Sequence, residues 1–88
     1  MGVRMRIVLK LFAGLGEFLP PETRRSGRME LDVPAGSTVL QVILEQGVPP
    51  ERCSLVLVNG VFVALHDRQT HRLEDGDVLA IWPPVGGG

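Results

Sequence analysis

Near the start of the chain apolar and polar residues alternate. Met5, Ile7, Leu9 and Leu11 fall on one side and Arg6 and Lys10 on the other, which predicts a strand over residues 5–12 with one face in a core. Residues 13–27 lose the alternation and carry Gly14, Gly16, Pro20, Pro21 and Gly27, a composition that favours a surface connection. Within it Leu15, Phe18 and Leu19 stand at near-helical spacing and suggest a short helical turn that packs down. Met29, Leu31 and Val33 alternate with Glu30 and Asp32, giving a second strand over residues 28–33, ended by Pro34 and Gly36. Thr38 with Gln41 three residues on has the form of a capping box; Val39, Val42 and Ile43, with Leu40 and Leu44, then predict a short amphipathic helix closed by Gly47. Leu55–Val58 is a continuous apolar run of a length that suits a buried strand. Asn59-Gly60 signals a tight turn into Val61, Phe62 and Val63. After Leu73 and the acidic turn Glu74-Asp75-Gly76-Asp77, Val78–Trp82 forms a last strand stopped by Pro83 and Pro84. The order strand, strand, helix, strand, strand, strand, with one helix on one face of a mixed sheet, is an α+β layout.

Composition narrows the function. At 88 residues the chain is expected to hold one domain with one modest core, over residues 1–82, followed by a tail over residues 83–88. A net charge of −1 with 22% charged residues argues against a nucleic-acid binder and against a disordered chain. Apolar runs fall far short of the ~20 residues that cross a bilayer, and the first residues lack a signal-peptide pattern, so no membrane association and a cytoplasmic location are expected. Arg6 stands where a myristoylation signal after Gly2 wants Ser or Thr. Cys53 is the single cysteine, which excludes an internal disulfide and reads as a buried hydrophobe. A nucleophilic Cys53 beside His66 or His71 is the sharper alternative. The two histidines, five apart with no ligand cluster around them, read as surface residues, and no metal site is expected. Paired carboxylates, a nucleophile triad and a phosphate loop are all missing from the pattern, so the chain alone is expected to catalyse nothing.

The ending, Trp82-Pro83-Pro84-Val85-Gly86-Gly87-Gly88, carries the chemistry. Two prolines fix φ and cannot donate to a ladder, so they detach the residues beyond them from the sheet in an extended direction. At about 3.1 Å per residue the six residues from Pro83 reach roughly 19 Å. Gly86, Gly87 and Gly88 have no side chains, so they can enter a channel too narrow for other residues. A frayed glycine-rich end is the competing account. If the chain ends on Gly88, the group presented is a carboxylate, ionised at neutral pH and a poor electrophile until activated.

The residues 73–88, with their Asp-Gly-Asp turn, apolar strand, Pro-Pro-Val and terminal Gly-Gly, resemble the ending of the small subunit of molybdopterin synthase, and Leu11-Phe12-Ala13 resembles that family's first strand. The likeness spans nearly the whole chain. It implies the β-grasp, or ubiquitin-like, fold with the first and last strands adjacent and parallel. It also implies a sulfur carrier that works at Gly88. A ubiquitin-activating-enzyme-like adenylyltransferase, holding ATP and magnesium that this chain does not bind, would convert the carboxylate to an acyl-adenylate. A persulfide-bearing sulfur donor would yield the thiocarboxylate. The large subunit of molybdopterin synthase would accept Pro83, Pro84, Val85, Gly86 and Gly87 as an inserted tail and direct the sulfur of Gly88 onto a pterin precursor for molybdenum or tungsten. Carriers for thiamine thiazole, cysteine or tRNA thiolation, and protein-modifying ubiquitin-like proteins, share the fold and the Gly-Gly end. They stay open, as does a plain interaction module.

Phe12 comes one residue after the inward set and Trp82 does the same after Leu79 and Ile81, so both are expected on the other face. If the strands neighbour one another, Phe12 and Trp82 meet near the base of the tail with Phe62 as a third member, a candidate partner-binding patch. A connection over residues 13–27 that folds across them is the alternative. Arg6 and Lys10 share the outward face as candidate contacts to partner carboxylates, or as solvated strand charges. Lys10 is the one lysine beside eight arginines, which suits a donor of its own terminus better than an acceptor.

Overall fold

The computed structural model describes residues 2–84. Five strands, β1 (Arg4–Leu11), β2 (Arg28–Pro34), β3 (Leu55–Val58), β4 (Val61–Phe62) and β5 (Val78–Trp82), form one sheet in the order β2-β1-β5-β3-β4. The α-helices among the described residues are α1 (Pro21–Arg24) and α2 (Val39–Glu45). β1 pairs antiparallel with β2 and parallel with β5, so the first and last strands are central neighbours. β3 runs antiparallel to both β5 and β4. This is the β-grasp arrangement.

One face of the sheet is dry. Ile7, Leu9 and Leu11 from β1, Leu31 and Val33 from β2, Val56 and Val58 from β3, and Leu79 and Ile81 from β5 are buried with Val39, Val42 and Ile43 of α2. Each such aliphatic side chain contributes ~1.5–3 kcal/mol on burial. The capping box is present: Gln41 N–H donates to Thr38 Oγ1 at 3.2 Å and Thr38 N–H to Gln41 Oε1 at 2.8 Å. The next two amides, of Val39 and Leu40, donate to the carbonyls of His71 and Arg68, so the segment before β5 completes the helix start. Asn59 and Gly60 both have positive φ, 52° and 82°, the twist that a tight hairpin between β3 and β4 requires.

Two elements differ from expectation. Leu55–Val58 is not a strand buried on both faces: Leu55 is 39% exposed and Leu57 half-buried, because α2 covers only one side of the sheet. The connection over residues 13–27 is more ordered than its glycines and prolines suggest. It contains a 3-10 helix, Ala13–Phe18, and the short helix α1, held down by Leu15 and Leu19, both fully buried. Strand ends also shift slightly: β1 runs from Arg4 to Leu11, and β4 stops at Phe62 while Val63 turns into the core.

Candidate functional site

The acidic turn explains how the last strand is aimed. Asp75 Oδ1 accepts the Arg6 amide at 2.8 Å, Gly76 N–H donates to Arg6 O at 2.7 Å, and Val8 N–H to Asp77 O at 2.9 Å. Asp77 also accepts from the Glu74 amide and from Asn59 Nδ2, while Asn59 Oδ1 accepts the Val78 amide. The Asp-Gly-Asp motif therefore seats the start of β5 beside β1 and ties it to the β3–β4 turn. From there β5 runs parallel to β1 through the register pair Leu11 and Ile81.

One residue further on, the two chains place Phe12 and Trp82 together on the face opposite α2. Their rings stack with centroids 4.1 Å apart and planes within 1°, a contact of ~0.5–1.5 kcal/mol beyond area burial. Phe12 N–H donates to Ile81 O and Ser54 N–H to Trp82 O, so backbone pins the pair from both flanking segments. Leu55 lies opposite Trp82 on β3, and Phe62 lies opposite Leu57 on β4. Phe62, 59% exposed, thus shares the open face but stands two strands from Trp82, with β3 between. The connection over residues 13–27 leaves Phe12 36% exposed and borders it on one side. Pro83 and Pro84 continue directly from this aromatic pair; Val85, Gly86, Gly87 and Gly88 lie outside the described residues.

The charged neighbours divide into two groups. Arg6 already holds two carboxylates of its own sheet, Asp32 at 3.1 Å and Glu30 at 3.4 Å. The hydrogen bond and charge of Asp32, with the charge of Glu30, raise its affinity for its proton. Lys10, also on the open face, stands directly across from Arg28 and makes no ion pair among the described residues.

A residue without any sequence signal supports the site from below. Arg68 is 5% exposed; its Nη1 donates to Cys53 O at 2.7 Å and its Nη2 to Ser54 O at 3.3 Å, immediately before the Ser54 amide meets Trp82 O. Nothing local marks it, because Arg68 sits in the polar stretch of residues 66–72 that reads as a solvated loop. Cys53 is buried, with Sγ 3.6 Å from Pro49 O, and burial pushes its thiol pKa above the ordinary 9.0, Arg68 opposing the shift. A thiol held protonated is a weak nucleophile. As pH rises the unfolded chain releases this proton first, so the group's contribution to stability is full below 9.0 and is lost as pH passes through the elevated folded value. Alkylation of the native protein by iodoacetamide at pH 8 is expected to be at least ~10-fold slower than in denaturant, and equal rates would show an accessible thiolate. His66 lies exposed beside Asp67, and His71 is half-buried. Among the described residues no group of His, Cys, Asp and Glu has metal-holding geometry.

The ThiS family matches residues 9–88, a span that takes in the end of β1, the whole of β5, the aromatic pair and the glycine end. The chain belongs to the ThiS family. No curated protein matches it. Among solved structures it is similar to the HVO 2177 protein of Haloferax volcanii, at 26% identity and a TM-score of 0.74, over 97% of this chain and 88% of that one. SAMP1 from the same organism is 29% identical with a TM-score of 0.65, over 94% and 99%. Subunits 1 and 2 of the molybdopterin-converting factor of Helicobacter pylori form a complex whose matching chain is 21% identical with a TM-score of 0.55, over 96% and 100%. That last likeness is one of fold. Membership of the ThiS family and this set of neighbours make the chain a ubiquitin-like protein of the sulfur carrier or modifier type. Among the described residues no helix is long and apolar enough to cross a membrane.

Proposed function

We propose that the chain carries sulfur on the carboxylate of Gly88 and delivers it to a partner that builds the dithiolene of a pterin cofactor. The observation that carries this reading is the exit of the chain: β5, locked parallel to β1 and flanked by β3, leads through Trp82 straight into Pro83 and Pro84 beside a stacked, part-exposed aromatic pair. The proposed docking face and the root of the glycine-ended segment would thereby act as one unit. Phe12 and Trp82 would anchor the partner's body while Val85, Gly86 and Gly87 thread its channel. Phe62 would extend the same contact.

The chemistry runs in three steps. The carboxylate of Gly88 attacks the α-phosphate of ATP on an adenylyltransferase that also holds magnesium, and pyrophosphate leaves. A persulfide sulfur then displaces AMP from the acyl-adenylate, and reductive cleavage of the resulting S–S bond by a thiol leaves the thiocarboxylate. Its anionic sulfur is the nucleophile that the large synthase subunit would direct onto a pterin precursor. A reducing cytoplasm suits such a group.

The likeness to SAMP1, a small archaeal modifier protein, favours a second reading in which the activated Gly88 carbonyl is joined to an amine of another protein. Sulfur delivery to a thiazole or a tRNA would use the same first steps. Incubation with the adenylyltransferase, ATP and a persulfide donor, followed by intact-mass measurement, decides the carrier reading: a gain of about 16 Da, the exchange of one oxygen for sulfur, is expected on the full chain. An unchanged mass, with the chain recovered as conjugates to other proteins, would move the function to modification.

A further inference from the structure

Beside Phe12 the connection after β1 leaves a groove of about 380 Å³ lined by Lys10, Phe12, Gly16, Arg24, Arg25 and Arg28, among others. Four of its lining side chains are cationic and none is a carboxylate. Lys10 and Arg28 face one another across β1 and β2, a like-charge pair that disfavours the sheet unless an anion sits between them. The contrast with the rest of the same strand pair is informative. Arg6 stands opposite Asp32 and beside Glu30 and is satisfied internally, whereas the cations at the Phe12 end make no ion pair among the described residues. Arg24 spends Nε and Nη2 on the carbonyls of Leu19 and Glu17, which fixes its guanidinium at the groove wall. Positive charge has therefore been gathered at the end of the open face nearest the root of the tail, on a chain whose net charge is −1.

We infer that this groove receives an acidic segment of a protein partner, its carboxylates held by Lys10, Arg25 and Arg28 and a neighbouring apolar side chain laid on Phe12. This rests on the carrier reading and deepens it by giving the partner's docking segment a chemistry. A protein fits better than a nucleic acid for two reasons. The groove is continuous with the apolar surface of Phe12, Trp82 and Leu55, and the rings of Phe12 and Trp82 are closed on one another instead of splayed to accept bases. Glu30 and Asp32 on the adjoining strand would also repel a phosphate backbone that tracked along the sheet.

The test is a 15N shift titration of the full chain with a capped peptide alternating glutamate with leucine, its glutamine counterpart, and a polyuridine oligonucleotide. The acidic peptide is expected to bind at least ~10-fold tighter than the glutamine peptide, to shift the amides of Lys10, Phe12, Gly16, Arg25 and Arg28, and to weaken with salt. The double variant Lys10→Gln, Arg28→Gln is expected to lose about 10-fold in that affinity while its Tm holds or rises, since it removes a repulsive pair between half-buried Lys10 and exposed Arg28. Equal affinity for the two peptides, an affinity untouched by the double variant, a fall in its Tm, or tighter binding of polyuridine would each overturn the inference. None of these results alters the mass gain at Gly88, so the two readings fail separately.

Discussion

Removing Gly88 is expected to abolish sulfur loading while leaving the fold unchanged. The truncated chain would still end in a glycine carboxylate of the same reactivity, so the loss isolates reach from chemistry. The tail shortens by about 3 Å, and a carboxyl displaced by that distance from the α-phosphate forfeits the near-attack geometry, which costs on the order of 100-fold or more in rate. Stability should not change. The buried cluster is complete between Met5 and Ile81, and the last core residue precedes the prolines. A Tm within about 1 °C of the full chain is therefore expected by thermal denaturation, with no gain in intact mass after incubation with the activating partner, ATP and a persulfide donor. Loading at the full rate by the shortened chain would show that the position of the carboxyl is not read, and the proposed mechanism would fail with it.

Replacing Arg68 by Ala is expected to be the most damaging single change outside the aliphatic core. The side chain is buried with no carboxylate at ion-pair distance and with Nε unpartnered among the described residues, so its charge is costly to hold. Removal relieves that cost. It also strips donors from Cys53 O and Ser54 O, each an unmet carbonyl worth ~1–3 kcal/mol, and leaves the volume of the arginine stem empty. The losses exceed the relief by ~2–4 kcal/mol, which for a domain of this size lowers Tm by roughly 10–20 °C. Arg68→Lys should recover only part, because a single ammonium cannot span two carbonyls in the geometry of a planar fork. The consequence reaches the site: Ser54 N–H is bonded to Trp82 O, so faster hydrogen exchange at Ser54 should accompany the drop in Tm. An Arg68→Ala protein as stable as the parent would mean that water replaces the guanidinium at no cost.

The strands, the capped helix, the Asn59-Gly60 turn and the proline exit were legible because each is written in local terms: a period of two, a polar cap three residues from its partner, two positive φ angles, two missing amides. The outward direction of Phe12 and Trp82 came from the same parity, since a side chain one step past an inward set must face the other way. What parity could not supply was their adjacency. That depends on β5 crossing the sheet to lie parallel to β1, a pairing between residues some seventy positions apart for which no local signal exists. Resemblance supplied the expectation, and the hydrogen bonds of Asp75, Gly76 and Asp77 supply its cause.

The connection over residues 13–27 shows the reverse. Its glycines and prolines read as surface chain, yet Leu15 and Leu19 bury completely in the core cluster as the 3-10 helix packs against β1 and β5. Once that connection is packed, Arg24 and Arg25 join Arg28, which β1–β2 pairing already sets opposite Lys10, and a scatter of basic residues becomes a groove. Leu55–Val58 likewise reads as wholly apolar, and only the single-sided cover of α2 decides that Leu55 and Leu57 face outward. Local pattern was enough for the five strands, the capped helix, the alternation of sides along each strand and the chemistry available beyond Trp82. The tertiary structure alone decided which of those faces meet, that Arg68 is buried beneath the root of the tail, and that charge collects beside Phe12. Faces are set by neighbours along the chain, whereas burial and charge density are set by neighbours in space.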